Sequence, residues 1–226
     1  MRYRIEFKVK IPYIDIHTHH PRKSEEVITV QSLFLQDIDP HSKINAPFTT
    51  AIHPWHSDNF ELGQIRKMVE NLITNQMLIA IGETGLDKLC KADYGHQKKV
   101  FNLQVDYAES CHKPLIIHAV KSWNELLTVF RKIKVPVILH GYSQGVPLTR
   151  QLIDLGCYFS IGKSIMNPSP GFLDAIQIIP LSNMFLETDE SLMPVEGIYH
   201  KMAETINLPP ELLKIQIYTN FTNLFN

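Results

Sequence analysis

Eight short runs rich in β-branched and aromatic residues recur along the 226-residue chain: PYIDIH (12–17), EVITVQSLFL (26–35), FTTAIH (48–53), MLIAIGE (77–83), PLIIH (114–118), PVILH (136–140), CYFSIG (157–162) and NMFLET (183–188). Several are apolar at almost every position, the pattern of a strand covered on both faces in a parallel sheet. From the third run onward, segments with helical spacing separate them, at 60–72, 94–112, 122–132, 146–155, 172–179 and 195–206, and a last one at 210–225 has a proline near its start. Within 94–112, Phe101, Val105, Ala108 and Cys111 share one stripe and read as core. An eightfold strand–helix alternation of this length predicts a TIM-like (β/α)8 barrel, with a doubly wound open sheet as the alternative. One connection resists that pattern. Only THHPRKSEE separates the first two runs, too few residues for a helical crossover, which takes roughly a dozen. Either the first outer helix is shortened or missing, or the second strand is misassigned.

Most of the runs close on a side chain that can bind a metal: His17 and His19, His53, Glu83, His118, His140 and, just beyond the eighth, Asp189. Singly each has an ordinary explanation, as a hydrogen-bonded rim histidine, a paired buried carboxylate or a helix cap. Their repetition does not. In a (β/α)8 barrel all strand C-termini open on one face, so these side chains converge although they lie far apart in the chain. In DIHTH the histidines alternate, which points His17 and His19 to one side. Imidazole nitrogens with carboxylate oxygens suit Zn, Mn, Fe or Ni, and carboxylates can bridge two ions. His20, His41, His56, His96, His112 and His200 lack that placement and read as solvated or structural. Asp87, in GLDK, reads equally as a turn residue or as a partner for the outer nitrogen of a ligand histidine.

Composition narrows the function classes. A net charge of −1 gives no broad electrostatic grip on nucleic acid, so a nucleic-acid substrate would need a local site. Cys90, Cys111 and Cys157 are odd in number and widely spaced, which argues for reduced thiols rather than a disulfide framework or a thiolate zinc site. No run approaches the roughly 20 apolar residues of a membrane span, and the opening MRYRIEFKVK lacks a signal peptide's apolar block. The expectation is one cytoplasmic domain over 1–226, with no membrane contact and no obligate protein partner.

YIDIHTHH, AIHPW, AIGETGLD, the Q-x-x-x-F-x-x-Q-x-x-x-A pattern of Gln97–Ala108, PLIIH, LHGYSQG, GCYFSIG, FLETD and TNFTNLF together resemble, in order from Tyr13 to Phe225, the TatD family of metal-dependent hydrolases. The resemblance implies an amidohydrolase-type barrel, two divalent ions (zinc, magnesium or manganese) and, for some members, DNase activity. His17, His19 and Asp189 would hold one ion, His118 and His140 the other, and Glu83 would bridge them. Asp189 would take the proton from the attacking water, with His53 as a further catalytic group. Members commonly carry glycine at Ala51 and arginine at Val120, and a different loop after ETD; Lys121 is the candidate substrate contact in place of that arginine. The leading expectation is a deoxyribonuclease or phosphodiesterase acting on DNA ends or short single strands. Hydrolysis of a small amide, ester or lactone on the same centre, and a metal-binding protein without catalysis, are the alternatives.

Overall fold

The computed structural model describes residues 11–39, 43–70 and 72–225; His41 and the opening decapeptide lie outside them. Eight parallel strands follow one another in sequence order: β1 (Tyr13–Thr18), β2 (Val27–Phe34), β3 (Phe48–Ala51), β4 (Leu78–Asp87), β5 (Leu115–Val120), β6 (Val137–Leu139), β7 (Tyr158–Ile161) and β8 (Met184–Leu186). Just past β8 the sheet meets β1 again, through the parallel bridge between Thr18 and Asp189. There Asp189 N–H donates to His17 O at 2.9 Å and His19 N–H to Asp189 O at 3.1 Å. The result is the expected TIM-like barrel rather than an open sheet. Its strands are packed on apolar side chains: Ile14, Ile16, Leu78, Ala80, Ile116, Ile138, Phe159 and Phe185 are fully buried.

Helices cover the barrel from β3 onward: α1 (Leu62–Glu70), α2 (Tyr94–Ser110), α3 (Trp123–Phe130), α4 (Val146–Asp154), α5 (Pro170–Ile176), α6 (Val195–Thr205) and α7 (Pro210–Phe225). Their starts follow local chemistry. The Asp93 carboxylate caps α2 through His96 N–H at 2.6 Å, and the Ser169 hydroxyl and Pro170 open α5. The second strand is correctly assigned, and no α-helix occurs between β1 and β2. α6 and α7 instead pack beside β1. The Tyr199 hydroxyl accepts from Ile14 N–H at 3.1 Å and donates to Ile14 O at 3.0 Å, and the Lys214 ammonium lies 4.0 Å from the Tyr13 ring centroid. Those contacts cover the strand that an outer helix would otherwise cover.

One expected boundary shifts. β4 continues past Glu83 to Asp87, where the sequence pattern suggested an end at 83. Gly85 permits this, since a Cβ there would lie 1.9 Å from His118 O of β5. Both Glu83 and Asp87 therefore project from one strand.

Candidate metal centre

The strand ends bring His17, His19, His53, Glu83, His118, His140 and Asp189 into one cluster, with Glu83 at its middle. The two carboxylate oxygens of Glu83 face different partners. Oε2 lies 3.5 Å from both His17 Nε2 and His19 Nε2. Oε1 lies 2.8 Å from His118 Nδ1, 2.6 Å from His140 Nε2 and 3.3 Å from His53 Nε2. Asp189 Oδ1 completes the first side, 3.5 Å from His17 and 3.8 Å from His19.

The spacing on the His17 side is informative. Ligand atoms about 2.1 Å from a tetrahedral ion stand about 3.4 Å apart, close to these separations and too long for good hydrogen bonds. His17 is fully buried, yet neither of its ring nitrogens has a hydrogen-bond partner, and buried polar atoms are rarely left so. No thiol joins the set. Nitrogen and oxygen donors alone suit borderline divalent ions, so this set could hold a metal.

The charge states follow from crowding. Burial opposes ionisation of Glu83, but His140, His118 and His17 hold its carboxyl well below the usual range. Burial likewise works against a charged His17, and the Asp189 and Glu83 carboxylates beside it, each 3.5 Å away, overcome it, pushing it up to about 9. His140 is raised well above the ordinary imidazole value, against burial, by Glu83 and Glu187. Asp189 is lowered, its burial outweighed by His17 and His140. Burial dominates at His53 and lowers it. Because His53 Nδ1 accepts the Trp55 backbone N–H at 3.2 Å, the neutral ring carries its proton on Nε2, facing Glu83.

A second set of residues holds these side chains in place. The contacts of Asp87 fit both of the readings its sequence allowed. Its Oδ1 accepts the N–H of Leu89 at 2.7 Å and of Cys90 at 3.2 Å, while Oδ2 accepts Trp55 Nε1–H at 2.8 Å and lies 3.4 Å from His118 Nε2. The buried Gln104 binds Ile52 N–H at 2.6 Å, Ile52 O at 3.1 Å and the Thr84 hydroxyl at 2.7 Å, tying the residue before His53 to the one after Glu83. Gln97 does the same for Asp87, accepting its N–H at 2.9 Å and donating to its O at 3.0 Å. Asp15 receives Thr188 N–H at 2.9 Å and its hydroxyl at 2.7 Å, fastening β1 to the segment that carries Asp189. Asp189 itself has a left-handed φ of 53°, uncommon for a non-glycine residue and held here by its backbone bonds to β1.

Glu187 was not singled out by its sequence. It is fully buried, accepts Gly141 N–H at 2.6 Å and the Ser160 hydroxyl, and stands 3.6 Å from His140 Nδ1. The available signal was a carboxylate inside an apolar run. Beside it, a cavity of about 320 Å³ lined by Gly162, Lys163, Ser164, Asp189, Glu190 and Ser191 opens next to the cluster. Lys121 is exposed after β5, and no hydrogen bond or ion pair among the described residues links its ammonium to the cluster. Of the other histidines, His20 pairs at the surface with Glu190 at 3.1 Å and His96 Nε2 lies 3.1 Å from Phe60 O, consistent with solvated or structural roles.

A family model described as TatD related DNase matches residues 38–226. The chain belongs to this family. The matched region contains β3–β8 and the side chains they contribute, while His17 and His19 precede it and join the cluster through the barrel geometry. A Mycobacterium tuberculosis protein named as the uncharacterized metal-dependent hydrolase TatD is 26% identical over 183 residues, covering 71% of this chain and 69% of its own. An uncharacterized metal-dependent hydrolase of Buchnera aphidicola is 26% identical over 200 residues, covering 80% and 75%. The crystal structure of YjjV, a TatD homolog from Escherichia coli K12, superposes with a TM-score of 0.77 at 19% identity, covering 96% of this chain and 98% of that one, which shows the shared fold. This TatD-family chain is accordingly a hydrolase. No helix among the described residues is long and apolar enough to cross a membrane.

Proposed function

We propose that this protein is a phosphodiesterase acting on DNA ends or short single strands, using water activated by two divalent ions. The observation that carries the reading is the division of Glu83, with one oxygen toward His17 and His19 and the other toward His118 and His140. A carboxylate so placed can bridge two ions, His17, His19 and Asp189 holding one and His118 and His140 the other. Divalent ions at such a site polarise a phosphoryl oxygen and lower the pKa of bound water from 15.7 toward about 7.

The chain's own groups supply the remaining functions. Asp189, its carboxyl 37% exposed and its carboxylate form favoured, can take a proton from the attacking water on an oxygen not used as a ligand. His53 supports a donor role rather than a basic one, because its Nδ1 lone pair is occupied by the Trp55 N–H and its Nε2 carries the proton. Its Nε2–H can hold a substrate oxygen beside Glu83. The Glu187 and Asp87 carboxylates stand 3.6 and 3.4 Å from the outer nitrogens of His140 and His118, placed to favour imidazoles whose inner nitrogens face the cluster. The family description points to DNA.

Hydrolysis of a small amide, ester or lactone is the second reading. It is favoured by the scarcity of cations at the site, where Lys163 is the basic residue lining the adjoining cavity. The test is elemental analysis of wild type and Glu83→Ala, together with turnover of labelled single-stranded DNA, dinucleotides and a panel of esters and lactones. Two ions per wild-type chain, loss from both positions in the variant and cleavage of the phosphodiesters would support the proposal. Full retention of two ions in Glu83→Ala would remove the bridge, and turnover confined to carbonyl substrates would select the second reading.

A further inference from the structure

Trp55 combines two properties that seldom occur together. Its side chain is 57% exposed, a costly position for so large an apolar surface. Yet its ring edge is fixed, Nε1–H donating to Asp87 Oδ2 at 2.8 Å, and its backbone N–H is held by His53 Nδ1 at 3.2 Å. Its ring centroid lies 4.6 Å from that of His53 and 6.0 Å from that of His118, at interplanar angles of 77° and 78°, so neither imidazole stacks on the indole in parallel. Phe34 extends the aromatic rim, its centroid 6.1 Å from His53 and 5.3 Å from His19.

We propose that Trp55 is the platform on which a nucleobase of the substrate stacks while the adjoining phosphodiester lies over the metal centre. The inference rests on the phosphodiesterase reading and adds to it how a chain of near-zero net charge recognises nucleic acid. With a net charge of −1, the chain can neutralise few phosphates, so affinity must come from contacts other than ion pairs. Base–aromatic stacking supplies such affinity without cations and without sequence preference, because every base has a π-face. A pinned ring loses little freedom when a base settles on it. The platform adjoins the cluster, so the stacked base belongs to a nucleotide flanking the bond that breaks. A base can reach it only when unpaired, which selects single strands and frayed ends over intact duplex.

Two variants separate stacking from the hold on Asp87. Trp55→Phe keeps an aromatic face and loses the N–H donor; Trp55→Leu loses both. The readout is the ratio of kcat/KM for a dinucleotide to kcat/KM for the same diester with the flanking base replaced by an abasic sugar, which cancels damage to the metal centre. Trp55→Leu should lower this ratio about 5- to 150-fold, the range of one base–aromatic stack, and Trp55→Phe should keep it within a few-fold of wild type. Binding is read separately in Trp123→Phe protein, where Trp55 is the remaining tryptophan. Deoxyadenosine 5′-monophosphate should quench its fluorescence and 2-deoxyribose 5-phosphate should not. Quenching without hydrolysis of any diester would support the platform and overturn the phosphodiesterase reading. Hydrolysis at equal rates with and without the base would overturn the platform and leave that reading intact. Equal losses of the ratio in Trp55→Phe and Trp55→Leu would assign Trp55 to holding Asp87, and would also overturn it.

Discussion

Replacing Glu187 tests whether a buried carboxylate that touches no substrate tunes the metal centre. Its oxygens accept Gly141 N–H and the Ser160 hydroxyl and stand 3.6 Å from the outer nitrogen of His140, in a site with no solvent exposure. Glu187→Ala leaves two buried donors unpaired, at about 1–3 kcal/mol each, so the folded state should lose about 2–6 kcal/mol. Glu187→Gln keeps the shape and an acceptor for Gly141, and its amide can donate to Ser160 in a reversed bond, so the stability cost should be about 1 kcal/mol. What glutamine removes is the negative charge facing His140. A carboxylate partner fixes the orientation of a ligand histidine and raises its basicity, and losing one costs typically about 10- to 100-fold in metal affinity. Chelator-competition titration with zinc, run beside urea unfolding, reads the two effects separately. The expected glutamine variant folds nearly as well as wild type and binds metal 10- to 100-fold more weakly. Wild-type affinity in that variant would refute the reasoning and leave Glu187 as a brace of the barrel alone.

Four further outcomes follow from the site. Asp189→Asn keeps a coordinating oxygen but is a far poorer proton acceptor, so metal content should persist in large part while kcat falls about 100- to 10,000-fold; substantial turnover in a metal-replete variant would exclude Asp189 as the base. Metal affinity should climb with pH toward about 9, because an ion needs neutral imidazoles and must displace the protons held by His17 and His140, both raised in the folded chain. The same raised values mean that the metal-free protein should lose stability between pH 7 and 9, since a histidine whose folded pKa lies above its unfolded one stabilises at low pH and ceases to as pH rises through the folded value; calorimetry showing the opposite slopes would contradict the assigned charge states. Lys121→Ala should reduce turnover of DNA more than that of a neutral ester if the exposed ammonium reaches the phosphate, and equal changes on both would remove it from substrate binding.

The barrel and the convergence of its histidines and carboxylates were legible because each rests on contrast along a short stretch. An apolar run that closes on histidine or a carboxylate marks a strand and lies near its end, although β4 runs on past Glu83 and β5 past His118, and parallel closure brings those ends together. His17, Glu83, His118, His140 and Asp189 all sit in that contrast. The missing outer helix was legible as a length, eight residues between two strands. Gln97 and Gln104 were less so. On a helix, glutamine usually faces water, and only the neighbouring strand ends, at Ile52 and Asp87, make burial favourable by pairing its amide completely. Trp55 is hidden for the opposite reason, since a tryptophan in a sequence gives no sign of being left in solvent.

Glu187 and Asp189 show where sequence contrast stops carrying information. They are two residues apart in FLETD, and both are carboxylates, yet one is fully buried against Ser160 and Gly141 and the other has its carboxyl 37% exposed beside His17. Simple strand alternation would turn both to the same side. β8 ends at Leu186, however, and the left-handed φ of Asp189 breaks the alternation where the backbone crosses to pair with His17 and His19 of the first strand's end. The same crossing that closes the barrel therefore separates a carboxylate buried beside His140 from the one proposed to bind metal and accept a proton. Closure and chemistry depend on one backbone turn, and Asp15, by holding Thr188 through its N–H and hydroxyl, fixes that turn from the opposite side of the seam.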